Sequence, residues 1–267
     1  MRTRTAVRFA MVTGAIMMAP ACARAAETVA ESKVSSNPSA IPSDAPWARV
    51  LDGFWSDGGL DYAGLRASPD DLHGYLESLA SARPAEAGQK ERIAFWSNAY
   101  NAVTAGFVLE RYPKIESVKA VDGFFDSLHF PVAGEELTLD EIETRARDEG
   151  DPRLHFAVVC ASTSCPDLRS EPYRGSDLDR QLAEQTRGFL ADPSKGLRFD
   201  GEELWLSSIF KWYAGDFTGG STVVAFFARG KVVDWVLPHL PEALAGRIRA
   251  ADPSVKYLDY DWSLNDR

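Results

Sequence analysis

The chain has 267 residues, 45% of them apolar, with 29 basic against 39 acidic side chains and a formal charge of −10. So acidic a chain repels polyanions, which argues against nucleic acid or anionic lipid as a partner. Its length suits one substantial hydrophobic core, and a second domain need not be assumed.

Residues 1–25 read as a secretory signal. Arg2, Arg4 and Arg8 precede an apolar run over residues 9–19, and Ala23-Arg24-Ala25 is a small-x-small cleavage site. The run is shorter than the about 20 apolar residues that a permanent membrane helix needs. Cys22 follows Ala19-Pro20-Ala21 and offers a lipoprotein alternative, weakened by the proline and the missing large aliphatic residue. All four methionines lie in this segment, so the processed protein would carry none, which suits an oxidising compartment. The expected location is periplasmic or secreted, with no stable membrane span further on.

Residues 26–45 are rich in Ser, Pro, Ala and Glu and predict a disordered tether. A single globular domain is expected over residues 46–267. Apolar groups from Trp47 to Trp55 recur at helical spacing until Gly58-Gly59, and Leu60-Asp61-Tyr62 predicts a short strand. Asp70 and Asp71 open an amphipathic helix that ends near Arg83-Pro84. The longest helical pattern runs over residues 89–112 and is stopped by Pro113. Thr138 and Glu141 have capping-box spacing ahead of a helix from Ile142 to Arg147. Residues 154–159 predict a buried strand. Ser176 is placed to cap a helix through Leu178, Leu182 and Phe189, ended by Pro193. Leu204-Trp205-Leu206 predicts a strand, and Ser207 or Ser208 caps a helix over residues 209–213. Residues 221–228 and 232–250 predict two more helices, and residues 255–262 alternate like a final strand. The fold class is α+β: a mainly helical single domain with a small mixed or antiparallel sheet.

Chemistry concentrates in residues 154–166, which hold His155, Cys160 and Cys165-Pro166. Proline is favoured at the first helical position, so Cys165 is placed where a helix could begin and its dipole would favour a thiolate. Cys165 is therefore the first candidate nucleophile and Cys160 the second. A disulfide between them and two inert buried thiols are the plainer readings. A redox couple has only weak support, because the spacing is not Cys-x-x-Cys. His155 is the candidate base, although in a regular strand it and Cys160 would face opposite sides, about 16 Å apart. Glu143 is the better acid to orient it, since Glu141 already has a capping task; Asp140 and Asp261 are further candidates. Asn98 and Asn101, three apart on the long helix, would orient the histidine, hold an oxyanion, or simply tie the helix to a loop. His73, His129 and His239 read as ordinary surface or packing residues. The aromatics Trp205, Phe210, Trp212, Tyr213, Phe217, Phe226 and Phe227 read as core. No zinc spacing and no cofactor motif is present.

Five blocks resemble the domain-of-unknown-function family 547. They are Phe95-Trp96-Ser97-Asn98-Ala99-Tyr100-Asn101-Ala102, Thr138-Leu139-Asp140-Glu141-Ile142-Glu143, His155-Phe156-Ala157-Val158-Val159-Cys160-Ala161-Ser162-Thr163-Ser164-Cys165-Pro166, Leu206-Ser207-Ser208-Ile209-Phe210-Lys211-Trp212-Tyr213 and Tyr257-Leu258-Asp259-Tyr260-Asp261-Trp262-Ser263-Leu264-Asn265. The resemblance implies a secreted or periplasmic bacterial protein, or a module of larger eukaryotic chains. It implies no established reaction.

The residues themselves suggest an exported thiol-dependent hydrolase or acyltransferase acting on an amide or ester, papain- or transglutaminase-like in its roles. Cys165 or Cys160 would attack, His155 would move the proton, Glu143 or Asn98 would orient the ring, and backbone N–H groups of residues 162–165 would hold the oxyanion. The partner would be an unknown peptide, glycan or small-molecule substrate. The rival expectation is a non-catalytic cell-envelope binding module with a Cys160–Cys165 disulfide.

Overall fold

In the computed structural model, residues 40–219 and 228–267 are described. The expected signal, the tether as far as residue 39, the helix over residues 221–227, Phe226 and Phe227 lie outside them.

Helix α1 (Ala45–Phe54) leads through a tight hairpin of β1 (Trp55–Ser56) and β2 (Gly59–Leu60) into α2 (Tyr62–Ala67) and α3 (Asp70–Leu79). The predicted strand shortens because the Asp61 side chain accepts from the Gly64 N–H and starts α2. The centre of this half is α4 (Gln89–Arg111), buried on nearly every side. A helix apolar all round belongs inside a bundle. It stops at Tyr112 because the residue before Pro113 is held extended. Gly106 lets α3 approach closely: a β-carbon there would meet Leu76 Cδ1 at 3.0 Å.

A second hairpin, β3 (Phe130–Val132) with β4 (Glu135–Leu137), precedes α5 (Leu139–Arg147). The capping box is present in full: the Thr138 hydroxyl accepts from the Glu141 N–H, and the Glu141 carboxylate accepts from the Thr138 N–H. After α6 (Leu178–Ala191), β5 (Leu197–Phe199) pairs antiparallel with β6 (Glu203–Leu206). Two single-turn helices follow, α7 (Ile209–Trp212) and α8 (Ala214–Phe217), then α9 (Ala228–Val236) and α10 (Glu242–Ala251). Strand β7 (Ser254–Tyr257) then pairs parallel with β6, which makes the three-stranded sheet mixed. Helices with small sheets of two or three strands are the α+β class that the sequence predicts.

Residues 154–159 are not a strand. Asp151 caps and Pro152 starts a 3₁₀ helix, Pro152–Phe156, and a loop follows. The reason lies in α4: Asn101 Nδ2 donates to the Ala157 carbonyl at 2.9 Å, and its Oδ1 accepts from the Val159 N–H at 2.8 Å. One amide side chain satisfies backbone groups that a neighbouring strand would otherwise have to satisfy. This short segment also stitches the interior together. Leu154 belongs to the core built on α1, α3, α4 and α5, Phe156 to the core over the mixed sheet, and Ala157 to a small cluster under α6. Two further corrections are local. Ser176 is not the cap of α6, since Asp177 holds that position and Ser176 Oγ bonds the Asp177 carboxylate. Trp212 is 48% exposed and not core. Among the described residues no helix is long and apolar enough to cross a membrane.

Candidate functional site

Cys160 and Cys165 are free thiols in direct contact, with their sulfurs 2.8 Å apart. Ala161 adopts a left-handed backbone, φ 60°, and the Cys165 N–H closes a turn on the Ser162 carbonyl at 3.0 Å. That bend brings the second sulfur back onto the first, and the Cys160 N–H donates to Cys165 Sγ at 2.9 Å. A non-glycine residue in the left-handed region persists only where its surroundings hold it. Here a strand-like segment from residue 261 onward does so. Ser263 and Asp261 carbonyls accept from the N–H groups of Thr163 and Ser164, and the Asn265 N–H donates to the Ala161 carbonyl. These bonds also occupy the loop N–H groups expected to hold an oxyanion; Cys165 N–H is used within the turn. That expectation is overturned for residues 163–165.

The loop divides the two thiols electrostatically. Cys160 is half-buried, and burial alone would raise its pKa. Contacts with Cys165 Sγ, with Ser162 Oγ at 2.9 Å and with the Tyr260 hydroxyl at 3.4 Å outweigh burial and bring it down to about 6. Cys165 is only 4% exposed. Burial and the adjacent Cys160 push its thiol well up. The surroundings thus favour ionisation of Cys160 over Cys165. The helix expected after Cys165 does not form before α6, because side chains of α4 and α6 claim the intervening backbone. Asn98 binds both the N–H and the carbonyl of Tyr173, and Gln181 binds the Arg174 N–H and the Pro172 carbonyl. Asn98 thus ties the helix to a loop, and among the described residues no hydrogen bond links it to His155.

His155 sits on the facing wall, 3% exposed, its ring 4.2 Å from that of Tyr213. Its Nε2 lies 2.8 Å from Asp216 Oδ2. A carboxylate only accepts, so this nitrogen carries the hydrogen. Nδ1 faces Glu143 Oε1 at 3.8 Å, too far for a hydrogen bond. Asp216 also accepts the Arg147 fork at 2.7 and 3.1 Å. The His155 hydrogen bond, followed by Arg147, holds the Asp216 carboxyl below the usual carboxylate range. Burial raises Glu143 against the opposing pull of His155, the Tyr213 hydroxyl and Arg147. Both ring nitrogens of His155 thus face carboxylates, and among the described residues no hydrogen bond links it to either sulfur. The expected Cys–His pair is not assembled, and the role analogy with papain or transglutaminase finds neither a helix start at Cys165 nor an imidazole on a sulfur.

The two groups nonetheless border one cavity of about 330 Å³, lined by Cys160, Cys165, His155, Glu143, Tyr213 and Tyr260 among others. Asp216, Arg147 and Tyr260 build this site without a local signal in the sequence, and Tyr213, expected as core, lines the cavity. Asp261, by contrast, anchors its own turn, accepting from the Ser263 N–H and hydroxyl.

Residues 84–190 match the family described as "Protein of unknown function, DUF547". The segment contains the cysteine loop, His155 and Glu143, whereas Tyr213, Asp216 and Tyr260 come from beyond it. No curated protein and no solved structure matches the chain.

Proposed function

We propose that the cysteine loop performs thiol–disulfide exchange. The observation that carries this reading is the contact of two free thiols, a half-exposed Cys160 and a buried Cys165, with sulfurs 2.8 Å apart. Cys160 attacks one sulfur of a substrate disulfide, forms a mixed disulfide and expels the first substrate thiolate. Cys165 then attacks Cys160 Sγ, an intramolecular disulfide forms and the second substrate thiolate leaves, taking up the proton that Cys165 gives. Two protein thiols are oxidised and one substrate disulfide is reduced to two thiols; the reverse direction oxidises a dithiol. Ser162 and Tyr260 stabilise the attacking thiolate. Intact mass after exposure to a small disulfide tests the reading. The wild type should lose two hydrogens, Cys165→Ser should accumulate the mixed disulfide at Cys160, and Cys160→Ser should remain unmodified. A wild type that stays reduced, with no adduct on Cys165→Ser, would overturn it.

A second reading, thiol-dependent hydrolysis or acyl transfer at Cys160, is supported by the cavity shared with His155 and Glu143. It requires His155 to leave Asp216 and reach the sulfur. A thioester adduct at Cys160, lost in His155→Ala, would favour it. Two thiols inert in both assays would leave the envelope-binding module. We also propose that the protein is exported to the periplasm or secreted, on the strength of residues 1–25; an N-terminus near residue 26 in the exported fraction tests this.

A further inference from the structure

The wall of the cavity opposite the thiols has a chemistry that disulfide exchange does not use. Asp126, Asp140 and Glu143 are three acidic residues lining a space where Lys119 is the lysine among the lining residues. Asp140 is pushed up by partial desolvation and by the charge of Asp126, as expected of like charges sharing a space. Glu143 supplies an independent observation: the residue is 8% exposed, and its Oε1 is buried without a hydrogen-bond partner. A buried oxygen left unpaired is costly unless something completes it.

The remaining wall is aromatic. Trp212, Tyr260 and Trp262 form a contiguous group with ring centroids 4.5–5.7 Å apart. The Lys119 ammonium already lies 4.6 Å from the centre of the Trp262 ring, so this surface accommodates an alkylammonium group. Carboxylates and aromatic faces around one space favour cations and disfavour anions.

We infer that the cavity takes a substrate bearing an alkylammonium group, seated between the Asp140–Glu143 carboxylates and the Trp212–Trp262 faces beside Cys160. This rests on the thiol–disulfide reading for its reaction, but not for its binding. The substrate class is an amine-bearing disulfide or thiol, of which cystamine is the smallest symmetric example.

Two measurements test it. The first compares rates of Cys160 modification by cystamine, bis(2-hydroxyethyl) disulfide and dithiodiglycolate, in 0.5 M salt to screen the protein's overall charge. Each rate is divided by that of a free small thiol with the same reagent. Cystamine should lead the neutral reagent by about tenfold, and Glu143→Gln or Asp140→Asn should remove most of that lead. The second titrates Cys160→Ser with 1,4-diaminobutane and follows tryptophan fluorescence. Saturable quenching is expected, weakened in the same carboxamide variants; Asp140 is exposed, so its variant should fold even if Glu143→Gln does not. Exchange with all three disulfides at equal normalised rates, or a diamine titration without saturation, would overturn the cation site while leaving thiol exchange standing. Saturable diamine binding with no exchange by any reagent would keep the site and remove the redox reaction.

Discussion

Asp216 and His155 are 61 residues apart in sequence and meet at 2.8 Å, the carboxylate also gripping Arg147 from α5. This one side chain joins the 3₁₀ segment, α5 and α8 at the edge of the cavity. Breaking a partly buried charge cluster leaves its other members unpaired, so Asp216→Ala should lose roughly 2–3 kcal/mol in urea unfolding.

The same carboxylate sets an acid limit. Its folded pKa is depressed, so its contribution is complete above the ordinary aspartate value of about 4 and fades as pH falls through the depressed value. Stability should therefore drop between pH 5 and pH 3, each pH being about a unit from that ordinary value. Unfolding curves at the two pH values should show a smaller drop in Asp216→Asn. An equal drop in both proteins would assign the acid limit elsewhere.

Asn101→Ala removes both bonds to the Ala157 carbonyl and the Val159 N–H. The two buried backbone groups are left unsatisfied, an expected loss of about 2–4 kcal/mol. Amide exchange at Val159 should accelerate ahead of global unfolding, because the loop is released first.

Tyr260→Phe deletes one donor to the Cys160 thiolate. The alkylation rate of wild type should rise with pH about a midpoint near 6. In the variant the midpoint should move up by about half a unit to one unit, the worth of one modest hydrogen bond. An unchanged midpoint would mean that Ser162 and Cys165 alone hold the charge.

Phe156 is fully buried and its ring lies 5.0–6.0 Å from those of Phe189, Phe210, Phe217 and Trp235. Phe156→Ala should cost about 3–5 kcal/mol. Because the adjacent residue is His155, loss of thermal stability should be accompanied by a shift in the His155 ring resonances.

What could be read in advance follows the range of the forces involved. Thr138 and Glu141 announce α5 because a capping box is complete within four residues, and Pro113 stops α4 by a clash with its own neighbour. The alternation of Leu204, Trp205 and Leu206 gives β6 directly. Residues 154–159 mislead because an apolar run looks the same whether its backbone pairs with a strand or with Asn101, a residue 56 positions from Ala157. Cys165-Pro166 misleads because proline permits a helix start without creating one. Asp216 and Tyr260 carry no local signal at all; their roles exist only after distant segments meet.

The Tyr260 hydroxyl that completes the Cys160 site is supplied 100 residues downstream. While the chain is being made, both cysteines are exposed long before that hydroxyl is present, and they behave as ordinary, mostly protonated thiols. The last of the contacts that favour the Cys160 thiolate arrives only on closure of the fold, so an unfinished chain carries two thiols of more ordinary acidity.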